Sequence, residues 1–194
     1  MTNLANEIPG KPGHFSISGA QLDLFRPHKY PLSLLECVTD YCPAEKKLTG
    51  SKKVKLEDPY VQAHFPGDPS MPPAFVVEGL AQSCGALMNL LFYVDKGILL
   101  WEMPIEEFLA LPHPPYNVLA EAKVKHVDLA RPGETIELEA KVALQRKEII
   151  SFQVKAVVAG RPLASGDIIL AYPPYTPLVP VSAPQITEPV HATR

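Results

Sequence analysis

At 194 residues the chain has room for one domain with a real core and too little for two. An apolar fraction of 46% is ordinary for a soluble globular protein, and a net charge of −3 gives nucleic-acid binding no support. The three cysteines, Cys37, Cys42 and Cys84, form neither a C-x-x-C pair nor a metal-ligand pattern, which fits free thiols in a reducing cytoplasm.

The N-terminal stretch "MTNLANEIPGKPG" carries no basic region followed by an apolar one, so no secretory signal is expected, and residues 1–19 read as a flexible segment. Next, "PLSLLECVTDY" and "KLTGSKKVKLE" read as two strands. The loop "QAHFPGDPSMPP" is stiffened by Pro66, Pro69 and Pro72 and leads into an apolar run that predicts one long helix from about Pro72 to Val94. That run is long enough to suggest a membrane span. Glu78, Gln82, Ser83 and Asn89 inside it make a lipid-facing helix costly and a buried core helix the expected reading.

The segment "GILLWEMPIEEFLALPHPPY" follows, with a short helix expected in "PIEEFLAL" and a loop at "LPHPPY". Four strands then read as a meander. In the first, Val118, Ala120, Ala122 and Val124 alternate with Glu121, Lys123 and Lys125, as a half-buried strand requires. "TIELEAKVAL" and "SFQVKAVV" repeat the alternation, with "LQRKEI" a polar break between them, and "ASGDIILAY" is the last strand. The Pro-rich stretch 173–194 has no period and reads as an extended tail, which leaves residues 20–172 as the domain. A twisted antiparallel sheet must bury one face, and the long helix is the only adequate cover, so the expected class is α+β with the sheet wrapped around one central helix.

On that helix Glu78, Gln82, Gly85 and Asn89 share one narrow stripe, while the rest of the circumference is apolar. Buried amides are most often structural, which is the expected role of Gln82 and Asn89. Glu78 stands in the first two turns, where the helix N-terminus favours the carboxylate and burial favours the acid. Those opposing pulls suit a general acid. His64, fourteen residues upstream, is held near the helix start by the prolines of its loop. A positioned base beside a poised acid suits proton abstraction next to a carbonyl with loss of a leaving group.

The window "HFPGDPSMPPAFVVEGLAQSCG" resembles the active-site signature of the FabZ/FabA-type 3-hydroxyacyl-[acyl-carrier-protein] dehydratases. "RPHKYPLSLLECV" upstream and "VKHVDLARPGETIELEAKV" downstream are similar to other motifs of that family, so the resemblance covers roughly residues 20–172. It implies a hot-dog fold and loss of water from a (3R)-3-hydroxyacyl thioester borne on acyl carrier protein or coenzyme A, in fatty acid or polyketide-like synthesis. It implies His64 as the base and Glu78, from the partner of a dimer, as the acid. No cofactor or metal is implied. A homodimer, a trimer of dimers, or a hetero-oligomer with another hot-dog subunit is the expected assembly. Gly67, Pro73, Ala74 and Gln82 are the expected oxyanion or substrate-binding positions, with Met71, Phe75 and Val76 along the acyl tunnel.

One departure stands out. Pro73 occupies the place of a family glycine whose N–H polarises the thioester carbonyl, and proline has no N–H. Ala74 offers the next one. The alternatives are a non-catalytic hot-dog subunit that binds acyl chains or supports a partner dehydratase, and an acyl thioesterase. The basic run Lys46, Lys47, Lys52, Lys53 and Lys55 is read first as the wet face of a strand and second as a dock for acyl carrier protein.

Overall fold

The long helix α3 (Pro73–Val94) organises the computed structural model, which describes residues 3–172. Pro73 stands at its first position, where a missing N–H costs nothing. It ends where Gly97, at φ +76°, takes a left-handed conformation that closes the last turn: its N–H bonds the Val94 carbonyl, and the Ile98 N–H bonds that of Tyr93. By length and composition α3 passes for a membrane span, yet 72% of its most apolar window is buried against the rest of the chain. It is a core helix.

Around it, among the described residues, stands one antiparallel sheet of eight strands. In chain order these are β1 (Asn6–Glu7), β2 (Phe15–Ile17), β3 (Cys37–Cys42), β4 (Lys47–Lys53), β5 (Val118–His126), β6 (Thr135–Arg146), β7 (Ile149–Val158) and β8 (Arg161–Ala171). Their order across the sheet is β1-β2-β3-β4-β6-β7-β8-β5. Alternation decides the covered face. Ile136, Leu138 and Ala140 of β6, with Phe152, Val154, Ala156 and Val158 of β7, are buried, and their neighbours face outward. Leu138 presses on Gly79 of α3, where an added Cβ would lie 3.1 Å from the leucine. Three short helices complete the set: α1 (Gly19–Leu22), α2 (Pro59–Gln62) and α4 (Ile105–Phe108). The sheet wrapped on one helix is the expected α+β hot-dog architecture, and α4 follows Pro104 as anticipated.

Several details depart from the sequence reading. The last four strands are not a simple meander, because β5 lies at the far rim beside β8 and the loop 127–134 carries the chain back to β6. A rim strand has one neighbour, so Val118, Ala120 and Ala122 are exposed rather than buried. Residues 3–19, read as a flexible segment, instead form β1, β2 and the start of α1, and bury Leu4, Ala5, Phe15 and Ile17. "LQRKEI" is strand at both ends around a two-residue turn, Lys147–Glu148. The strand expected from "PLSLLECVTDY" begins only at Cys37, for a reason that lies in the candidate site. The Pro-rich stretch 173–194 lies outside the described residues.

Candidate active site at the start of the central helix

His64 is placed by a loop fixed at both ends. At its start, α2 follows Asp58, whose buried carboxylate accepts from Lys52 Nζ (3.1 Å) and from the Tyr60 hydroxyl (2.9 Å). Phe65 and Asp68 then exchange backbone hydrogen bonds around Gly67, whose φ of +90° favours a residue without Cβ. At its end, Met71 donates to the Ala130 carbonyl, and Asp68 pairs with Arg131.

Ser70 decides which histidine nitrogen is basic. Its hydroxyl donates to the His64 carbonyl (3.1 Å), so its oxygen accepts from His64 Nδ1, also at 3.1 Å. Nδ1 therefore carries the proton, and Nε2 keeps the lone pair. The imidazole also stacks on Phe65 at 4.2 Å. A half-buried ring with a fixed tautomer is suited to act as a base.

Glu78 is held from the other side. Gln82, one turn on, donates to its Oε1 at 2.8 Å. The remaining polar capacity of Gln82 goes to the chain before β3: Oε1 accepts from the N–H groups of Leu34 (2.9 Å) and Leu35 (3.3 Å), and Nε2 donates to the Leu32 carbonyl (2.6 Å). These bonds occupy residues 32–35 and keep them out of the sheet, which is why β3 starts late. Both donors and both lone pairs of Gln82 are engaged, so it is a strut for Glu78 and not a free substrate-binding group. Farther along the stripe, Asn117 donates to Asn89 at 3.4 Å, and Gly85 leaves the room that Asn117 fills.

The stripe opens into a cleft of about 520 Å³ between segment 22–29 and segment 113–119. Glu78, Gln82, His28, His113, Tyr116 and Asn117 are among its lining residues. His64 is not among them; its ring bonds to Ser70 and lies more than 4.0 Å from the Glu78 carboxylate. Within one chain the base and the acid are thus not brought together. Met71 and Val76 are core residues, 1% and 2% exposed, and Phe75 stacks on Tyr60 at 4.2 Å. None of the three lines this cleft; Met71 and Val76 pack in the core beside the His64 loop.

Pro73 leaves Ala74 as the first helical residue with an N–H to offer. Phe75 and Val76 both donate to the Pro72 carbonyl, whereas no backbone carbonyl among the described residues accepts from Ala74, which is exposed. That N–H sits at the positive end of a 22-residue helix and is available to an oxyanion.

Two cleft histidines were missed by sequence reasoning. His28 lies in "RPHKYP", and its Nε2 stands 3.8 Å from Glu78 Oε1. His113 lies in "LPHPPY", read only as a loop. The basic run is largely neutralised, since Lys47 pairs with Glu139, Lys52 with Glu36 and Asp58, and Lys55 with Glu36. Among the described residues one trio of potential metal ligands, His14, Cys42 and Glu45, has its ligand atoms within 4.8 Å of one another, and none of the three lines the cleft.

The sequence model of the FabA-like domain matches residues 26–166, which contain the His64 loop, α3 and most of the sheet. The chain belongs to the FabA-like domain family. Its fold matches one chain of "The Dehydratase Heterocomplex ApeI:P from Xenorhabdus doucetiae" with a TM-score of 0.59 and 18% identity, covering 78% of this chain and 90% of that one. It also matches a homologue of HP0420 from Helicobacter felis, with a TM-score of 0.54 and 12% identity over 79% and 86% of the two chains. At such identities the likeness is one of fold. The hot-dog sheet and helix of this FabA-like chain are thereby shared with proteins of widely different sequence.

Proposed function

We propose that this FabA-like chain is a 3-hydroxyacyl-thioester dehydratase whose site is composed by two copies. One copy supplies His64, the other Glu78. The observation that carries the reading is the pair of fixed orientations. Ser70 leaves His64 Nε2 basic, and Gln82 anchors Oε1 of Glu78, a residue that lines an open cleft. His64 Nε2 removes the C2 proton of the thioester, and the Glu78 carboxylic acid protonates the departing 3-hydroxyl as water. The Ala74 N–H, at the positive end of α3, stabilises the enolate oxygen in place of the N–H that Pro73 lacks. The elimination needs no cofactor.

A two-copy site is supported by the rim of the sheet, where no strand among the described residues covers the outer side of β5. β5 has one neighbour, and Val118 and Leu119 at its start are 41% and 45% exposed. The carrier of the acyl group, acyl carrier protein or coenzyme A, and a cytoplasmic setting in fatty acid or polyketide-like synthesis belong to the same proposal.

The test follows the ultraviolet absorbance of the conjugated enoyl thioester with 3-hydroxyacyl substrates of several chain lengths. Turnover above a His64→Ala control is expected. Release of free thiol without enoyl product would instead identify a thioesterase.

A second reading, a subunit without catalysis of its own that supports a partner dehydratase, is favoured by Pro73 alone. Pro73→Gly separates the two. Loss of one oxyanion donor typically costs about 10²–10³ in rate. If Ala74 fills the role, restoring glycine changes kcat by less than about tenfold. An increase of about 10² or more would mean that the proline disables the site.

A further inference from the structure

We propose that His28 is a proton-returning residue for Glu78, an inference that rests on the dehydratase reading. Each elimination leaves His64 with one proton too many and Glu78 with one too few. The C2–H bond breaks and its proton goes to His64 Nε2. The C3–O bond breaks and the oxygen leaves with the Glu78 proton as water. Before the next turnover His64 releases its proton, and Glu78 must receive one. The Gln82 amide beside Glu78 does not titrate.

His28 is the only basic side chain within 4.0 Å of the Glu78 carboxylate among the described residues, with Nε2 3.8 Å from Oε1. Its imidazole is 42% exposed and the Glu78 side chain 36%, so both face the cleft and water, and an imidazole carries one ring nitrogen that can give a proton while the other takes one. The other charged or titratable groups along the cleft are Asp23, Arg26 and Lys29 on the same segment and His113 and Tyr116 opposite. Arg26 is held by Asp23 and the Leu35 carbonyl, and Lys29 reaches the Asp23 carbonyl, so neither reaches Glu78. At 3.8 Å the two groups are beyond direct hydrogen-bond reach, so His28 passes its proton to the Glu78 carboxylate through a bridging water and takes another proton from solvent.

The experiment uses the full-length protein in the enoyl absorbance assay, with His28→Gln and His28→Asn beside the wild type from about pH 6 to pH 8. Reprotonation by bulk acid slows as pH rises, so the deficit of both variants is expected to widen with pH. It should reach about tenfold in kcat with KM within about twofold. Added imidazole should restore turnover in the variants and leave the wild type unchanged. A kcat within twofold of wild type across the range overturns the proposal, as does a deficit that is flat with pH and untouched by imidazole. An active wild type with unaffected variants overturns this inference alone, whereas an inactive wild type overturns the dehydratase reading and this inference with it.

Discussion

Mixed unfolding and refolding of His64→Ala with Glu78→Gln is expected to regain activity that neither variant has alone. Each variant by itself loses its base or its acid at every site, and either loss should lower kcat by about 10²–10⁴. In a mixed pair, one site draws Ala from the first copy and Gln from the second and is dead. The other draws His64 from the Glu78→Gln copy and Glu78 from the His64→Ala copy and is intact. Random pairing makes half the dimers mixed, so recovery should approach about a quarter of wild-type specific activity. The basis is geometric: His64 bonds to Ser70 and does not line the cleft that holds Glu78. No recovery in a mixture that size-exclusion chromatography shows to be dimeric would place both groups in one chain. It would also undo the composite site.

Asp58→Ala should be the most destabilising single change outside the apolar core. Asp58 and Lys52 have side chains 4% and 5% exposed, and the same carboxylate oxygen also receives the Tyr60 hydroxyl. Removing one member of a buried pair leaves the other uncompensated, at a cost of about 3–5 kcal/mol. Lys52 keeps Glu36 at 3.2 Å, so the lower end applies, and a melting temperature lower by roughly 6–12 °C is expected for a domain of this size. The double variant Lys52→Met/Asp58→Leu should lose less than Asp58→Ala, because it buries no lone charge.

Acid should act on the same cluster. Burial raises the Glu36 carboxyl, but the Lys53 N–H and the neighbouring Lys52 and Lys55 more than offset this, so its pKa lies below the ordinary value of 4.5. A depressed folded-state pKa means that its contribution is complete above about pH 4.5 and is lost as pH falls through the lower, folded value. Thermal melts across that window check the sign. The consequence reaches the site, since Asp58 begins the segment that carries His64.

How much of this was legible beforehand depended on whether the signal was local. Alternation in β6 and β7 and the apolar run of α3 are local, and both were read in place. The position of β5 was not, because nothing within Val118–His126 states that its neighbour is β8, and alternation looks the same on a rim strand as on an inner one. The N-terminal hairpin was missed because β1 and β2 have two and three residues, too few to establish a period. At the site, the spacing of His64 and Glu78 and the stripe through Gln82 could be read from sequence. The backbone partners of Gln82 lie 47 to 50 residues away, at Leu32, Leu34 and Leu35, and the partner of His28 equally far, at Glu78. Only the fold brings them together.

The two rims of the sheet are unequal. Among the described residues, one ends in β1, two residues long, and the other in β5, nine residues long with no strand on its outer side. A template for endless stacking needs an adhesive border at each end, and the described residues offer one long border, β5. If two molecules join through β5 about a two-fold axis, as the proposed two-copy site requires, the described residues leave only the two-residue rim of β1 facing outward, and growth would stop at a pair instead of running on into a fibre.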